Sequence, residues 1–138
     1  MKSPEAETYC VSRGYRLVEI YDQNQQDFIV DKATGIGSVS GSYGYWIGLK
    51  RIQGTSTWKW IDSDVIPEFT AWGPNHPKDS NAELLALSYN ALNYKWATFT
   101  YHNTHNNNPI CQLTTNTTTI NPSKFILLGC QSCMPIVF

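Results

Sequence analysis

Apolar and polar positions alternate with two different periods along the chain, and the change of period separates helices from strands. Ala6, Tyr9 and Cys10 stand at i, i+3 and i+4, the stripe of an amphipathic helix. Ser3 suits its cap and Pro4 its first position, Glu5 and Glu7 lie where the helix dipole favours carboxylates, and Gly14 supplies a stop. Arg16-Leu17-Val18-Glu19-Ile20 reads as a strand. Asp22 then caps a second helix that runs through Gln25, Phe28 and Ile29 to about Lys32. After a Gly/Ser loop comes Trp46-Ile47-Gly48-Leu49, bounded by Gly44 and by Gln53-Gly54-Thr55-Ser56, which predicts a short strand buried on both faces. Trp58-Lys59-Trp60 alternates with the period of a half-buried strand, so this hairpin is the expected core. Gly48 inside a strand is best tolerated where another backbone or ring comes close.

Beyond Asp62 the periodicity is lost. Pro67, Gly73, Pro74 and Pro77 punctuate a long irregular loop that reaches Asn81, and a loop of that length in a compact domain is usually functional or disordered. Leu84-Leu85-Ala86-Leu87-Ser88-Tyr89, Tyr94-Lys95-Trp96-Ala97-Thr98-Phe99 and Pro109-Ile110-Cys111-Gln112-Leu113 follow as strands, with no internal repeat.

Trp46-Ile47-Gly48-Leu49 followed by Trp58-x-Trp60-x-Asp62, after a Cys-bearing helix, a strand and a second helix, resembles the central signature of the C-type lectin-like domain. The resemblance extends from about Pro4 to Gln112. It implies an α+β fold with two helices, small antiparallel sheets and a long irregular loop region. The expected organisation is residues 1–113 as this domain, its N-terminal strand missing, and residues 114–138 as a Thr-rich linker with a short apolar, Cys-containing tail. Four cysteines allow three connectivities. The resemblance implies a bond between Cys10 and Cys111. Closing so long a loop is worth roughly 4–5 kcal/mol in the chain-entropy model. The family's second pair is absent, because Leu84 stands in one position and neither Tyr101 nor Asn103 supplies the partner.

Length and charge narrow the picture further. With 138 residues there is room for one domain, and a net charge of -1 lacks the basic excess of a nucleic-acid partner. Aromatic residues are plentiful and charged ones scarce, which fits a secreted binding module. No apolar stretch at the N-terminus reads as a signal peptide, so the expectation is a trimmed sequence or an incomplete gene model. An intracellular protein with reduced cysteines is the other reading.

Family members that bind sugar through calcium carry Glu-Pro-Asn or Gln-Pro-Asp at the end of the long loop and Trp-Asn-Asp in the fourth strand. A hard cation takes six to eight oxygen ligands, and the same groups also bond sugar hydroxyls. Here the loop reads Trp72-Gly73-Pro74-Asn75-His76-Pro77-Lys78-Asp79, which puts His76-Pro77-Lys78 at the motif, and the strand reads Trp96-Ala97-Thr98. His76 and Lys78 offer no oxygen. Glu83 and Asn81 are the retained candidates, and the ligand count argues against calcium. No cofactor or metal is therefore expected.

The resemblance still implies an extracellular recognition module, nominally for carbohydrate. Asn75, His76, Lys78, Asn81, Glu83, Tyr94 and Trp96 are the candidate ligand-binding residues, with Trp72, Tyr101 and the run His102 to Asn108 offering further rings and amides. The ordinary reading of Trp72 and Trp96 is that they belong to the core, and of the Asn run that it is a solvated hairpin tip. The competing function is protein binding without sugar. A contiguous apolar patch would favour it, and isolated rings among Asn and Thr would favour sugar. His76, His102 and His105 have poor spacing for zinc and read as surface histidines. No nucleophile elbow, phosphate loop or carboxylate pair is present, and Asp62 and Asp64 flank Ser63 as turn residues, so the expectation is not an enzyme.

In the tail, Asn116-Thr117-Thr118 is a glycan acceptor if the chain is exported. The apolar run from Phe125 is too short to span a bilayer. Cys130-Gln131-Ser132-Cys133 has redox-motif spacing without the βαβ context that activates a thiolate. The tail reads either as the start of a downstream segment or as a strand taking an open sheet edge.

Overall fold

The computed structural model describes residues 1–37, 42–78, 85–98, 107–113 and 126–128. Helix α1 (Ser3–Ser12) leads to strand β1 (Tyr15–Leu17) and helix α2 (Gln23–Ile36). Then come β2 (Gly44–Arg51), β3 (Trp58–Trp60), β4 (Leu85–Tyr89), a single 3-10 turn (Asn90–Leu92), β5 (Lys95–Ala97), β6 (Asn108–Leu113) and β7 (Ile126–Leu128). Helix α1 begins at Ser3 itself, one residue earlier than the capping pattern suggested, and the Glu5 carboxylate accepts from the Lys2 N–H (3.1 Å). Asp22 caps α2 as expected, accepting from the Gln25 N–H (2.8 Å). That helix outruns its expected end at Lys32 by one turn and stops at Gly37, whose φ of 82° only glycine adopts at little cost.

The strands run in the order β1-β6-β2-β4-β5, with β3 on β2 and β7 on β6. Most pairings are antiparallel, but β2 and β6 run parallel at Tyr45↔Asn108 and Trp46↔Pro109. The sheet is therefore mixed, a correction to the purely antiparallel expectation. A parallel pair needs a long crossover, and the whole excursion from β3 to β5 supplies it. Beyond residue 113 the described chain is β7, which pairs with β6 at Ile110↔Leu128 and Gln112↔Ile126.

Strand β2 is buried on both faces because a helix lies over each. Tyr45, Ile47 and Leu49 face a cluster with Val18, Ile20, Ile29, Ala33, Trp58, Trp60 and Trp96. Trp46, on the opposite face, packs with Ala6, Cys10, Leu17, Leu85 and Cys111. The disulfide between Cys10 and Cys111 lies in this second cluster and spans 101 residues. Gly48 shares that face, and a Cβ there would meet the Val18 carbonyl oxygen at 2.9 Å. The close approach expected at this glycine is thus made by backbone: the Gly48 N–H donates to that same carbonyl (2.8 Å).

Candidate functional site

Two buried polar side chains fix the loop that follows β3. Glu19 breaks the apolar run Leu17-Val18-Glu19-Ile20 and is 1% exposed. Its carboxylate accepts from the Asp62 N–H (2.7 Å), the Ser63 N–H (3.2 Å) and the Tyr21 hydroxyl. This ties the first turn of the loop to the end of β1. Burial, followed by the bond to Glu19, raises the Tyr21 pKa. Gln26 lies on the apolar stripe of α2, three residues before Ile29 and seven before Ala33. Its amide oxygen accepts from the Trp96 indole N–H (3.0 Å), and its amide nitrogen donates to the Tyr94 carbonyl (3.1 Å). Neither residue was singled out from the sequence. The signal that could have found them is the same for both, a polar residue at a position where the period demands an apolar one.

The loop then closes on β5 through aromatic rings. Trp96 is fully buried, with Trp60, Phe69 and Trp72 each edge-on to it at centroid distances of 5.6, 5.9 and 5.8 Å. Backbone bonds follow the rings: the Trp96 N–H donates to the Ala71 carbonyl and the Gly73 N–H to the Trp96 carbonyl, both at 2.8 Å. Trp96 therefore offers no face to a ligand, a correction to its place among the candidate contacts. Tyr94 is corrected likewise. It is buried beside Tyr45, its hydroxyl donates to the Ala33 carbonyl (3.4 Å), and burial raises its pKa.

The remaining described candidates meet at the end of the loop. Asn75 is exposed and adopts a φ of 65°, a left-handed conformation that asparagine tolerates better than most residues. His76 is half-buried and stands before Pro77 across a cis peptide bond. The Thr98 N–H donates to His76 Nδ1 (3.0 Å), and Thr98 Oγ1 lies 3.2 Å from the same nitrogen. The Lys78 N–H donates to Thr98 Oγ1 (2.7 Å), which turns the hydroxyl proton toward the imidazole. Nδ1 is thus an acceptor, and this pattern assigns the neutral ring's proton to Nε2. Burial, then the charge of Lys78, lowers the His76 pKa, in agreement with a ring kept neutral. Thr98, which the sequence reading noted only for what it lacks, is the hub of this cluster. Asn81 and Glu83 lie outside the described residues, as do Leu84, Tyr101, His102, Asn103, His105, Asn116, Cys130 and Cys133.

A second surface lies at the start of the loop. Tyr21, Val65, Ile66, Pro67, Glu68 and Phe69 surround a hollow of about 170 Å³. Val65 and Ile66 are more than half exposed.

The two-helix fold, the Trp-rich hairpin and the loop seated on β5 define a C-type lectin-like domain. The sequence model of the lectin C-type domain matches residues 1–124, and the chain belongs to that family. It is 29% identical over 92 residues to a perlucin-like protein from Mytilus galloprovincialis, an alignment covering 67% of the chain and 58% of that relative's length. Among solved structures it resembles the SPL-1 complex with GlcNAc (26% identity, 70% of this chain and 68% of that one, TM-score 0.59). It also resembles the Ca2+-independent C-type lectin SPL-2 from Saxidomus purpuratus (25% identity, 70% and 67%, TM-score 0.58).

Among the described residues, the groups at the family's cation position do not suit calcium. The imidazole lone pair is taken by Thr98, Lys78 adds a positive charge, and Thr98 Oγ1 already accepts a hydrogen bond. Among the described residues no cluster of three or more His, Cys, Asp or Glu side chains is gathered for a metal, and no helix is long and apolar enough to cross a membrane.

Proposed function

We infer that the chain is an extracellular recognition module that binds carbohydrate through the end of its long loop without the family's usual calcium site. One observation carries this reading: Thr98, through its N–H and hydroxyl, holds His76 and Lys78 against β5 by direct hydrogen bonds where the family pattern would use a cation. A loop positioned in this way presents Asn75, Lys78 and the His76 ring to solvent as donors and acceptors for sugar hydroxyls. The names of the SPL-1–GlcNAc complex and of the Ca2+-independent SPL-2 support both halves of the reading. The disulfide fits an oxidising, secreted setting. The module has no catalytic role and needs no cofactor.

The test is a glycan-array screen of the refolded domain, run with millimolar calcium and again with chelator. Binding that survives the chelator is the expected result. Binding that vanishes with it overturns the calcium-independent reading.

A second reading, protein binding without sugar, is favoured by the exposed Val65 and Ile66 beside the half-buried Pro67 and Phe69. No glycan bound in either condition by a folded sample, together with a protein ligand whose capture is lost in Val65→Ser/Ile66→Ser, would establish it in place of the first.

A further inference from the structure

A different concavity lies on the β2–β3 hairpin and carries net positive charge. It has a volume of about 390 Å³ and is lined by Lys50, Arg51, Ile52, Gln53, Lys59, Trp60, Ile61 and Asp64, three cations against one carboxylate. That volume falls within the range of ordinary small-ligand sites, roughly 300–1,000 Å³. The register makes the charge arrangement unusual, because Lys50 and Lys59 are direct cross-strand partners. Like charges directly opposite one another destabilise a ladder. The carboxylates nearest them relieve little of this: Glu7 stands 3.7 Å from Lys50 and Asp64 3.6 Å from Lys59, and the Asp64 side chain is 81% exposed. The Arg51 guanidinium is steered along the turn by its bond to the Thr55 carbonyl (3.2 Å). Ile52, which is 41% exposed, puts an apolar edge beside the cations.

We propose that this groove binds an anionic saccharide, a sugar unit carrying sulfate or carboxylate groups, with Lys50 and Lys59 sharing the anionic substituent and Arg51 holding a second one. The apolar edge meets the C–H face of the ring. An anion seated between the two lysines turns their repulsion into attraction, so the same pair that costs stability in the free protein provides the recognition. The site lies on the hairpin and shares no residue with the Asn75, His76, Lys78 and Thr98 cluster, so it stands or falls independently of the loop reading.

The test uses a heparin-derived oligosaccharide and its chemically desulfated, N-acetylated counterpart of equal length, titrated calorimetrically into the folded domain at low and at high salt. The sulfated probe is expected to bind, to weaken as salt rises, and to bind about five- to tenfold more weakly to Lys50→Gln/Lys59→Gln. Lys32→Gln, which removes one positive charge from α2, is expected to leave it unchanged. Urea melts of the double variant check its folding, and its midpoint is expected to equal or exceed that of the parent because the cross-strand repulsion is gone. Equal binding of sulfated and desulfated probes, no binding of either by folded protein, or an equal loss in Lys32→Gln overturns the proposal.

Discussion

Around Cys10 and Cys111 the chain is joined by a covalent bond inside a buried apolar cluster of Ala6, Leu17, Trp46 and Leu85. Around Trp96 and Thr98 it is joined by rings set edge to face and by hydrogen bonds, one to the Gln26 amide and one to the His76 imidazole. Both closures bring together stretches far apart in sequence, and they respond to different agents. The first joins the ends of the domain and acts on the stability of the whole. The second seats one loop, so its failure is local and bears on recognition. A domain closed covalently at one end can therefore keep its fold while a loop seated by hydrogen bonds stays sensitive to small changes in chemistry.

The largest effect expected from breaking this contrast is at the covalent end. Cys10→Ala with Cys111→Ala frees a loop of about a hundred residues and is expected to cost about 4–5 kcal/mol in denaturant unfolding, at the upper end for disulfides. Calcium and chelator should not change that loss. A calcium-dependent recovery of stability would mean that oxygen ligands elsewhere in the loop gather a cation after all.

Next comes Gln26→Leu, which keeps the volume and removes the acceptor of the Trp96 indole N–H. The Tyr94 carbonyl keeps its bond from Ser88 Oγ (3.0 Å), so one buried donor is orphaned, at a cost of about 1–3 kcal/mol. Near-ultraviolet circular dichroism should change with it, because the indole sits among Trp60, Phe69 and Trp72. An unchanged spectrum would mean that the rings alone, without α2, hold the loop. Thr98→Val is expected to be milder, about 0.5–1.5 kcal/mol, because the released Lys78 N–H is near solvent. Its effect should be confined to faster amide exchange at Lys78 and to glycan binding, with global unfolding little changed.

The sequence made the covalent end legible and left most of the loop end unread, for reasons of chemistry. Apolar periodicity identifies a core, so both helices, the WIGL strand and the Trp58–Trp60 hairpin could be read from spacing, and the resemblance supplied the cysteine pair. Glu19 and Gln26 escaped because a buried polar residue looks like an error in the pattern until its partners, tens of residues away, are seen. Residue type alone does not distinguish a ring that stacks on sugar from one buried in the core, so Tyr94 stands among the ligand candidates, and Trp96 both there and as an ordinary core residue, until their packing is seen. Thr98 was read as a lost oxygen ligand. Its actual role, donating to Nδ1 while accepting from Lys78, depends on a contact between positions 22 residues apart that no local motif encodes.

The smallest expected effect is the one that most sharply separates the two closures. Burial and Lys78 place the folded His76 pKa below its ordinary value of 6.5. The unfolded chain therefore takes up the proton first as pH falls, and neutral His76 contributes stability that is fully present above about pH 6.5 and is lost as pH drops through the folded value. A protonated ring cannot accept from the Thr98 N–H, so the bond that seats the loop opens in the same window. The Cys10–Cys111 disulfide itself does not titrate. A proton NMR titration should give His76 a lower midpoint than a histidine in a short model peptide, with amide exchange at Thr98 quickening in parallel and the amide of Leu17, beside the disulfide, unaffected. In His76→Phe the Thr98 amide should exchange quickly at every pH. A His76 midpoint at or above the peptide value would mean that Nδ1 is not the acceptor and that the loop is held on β5 by its aromatic rings and backbone alone.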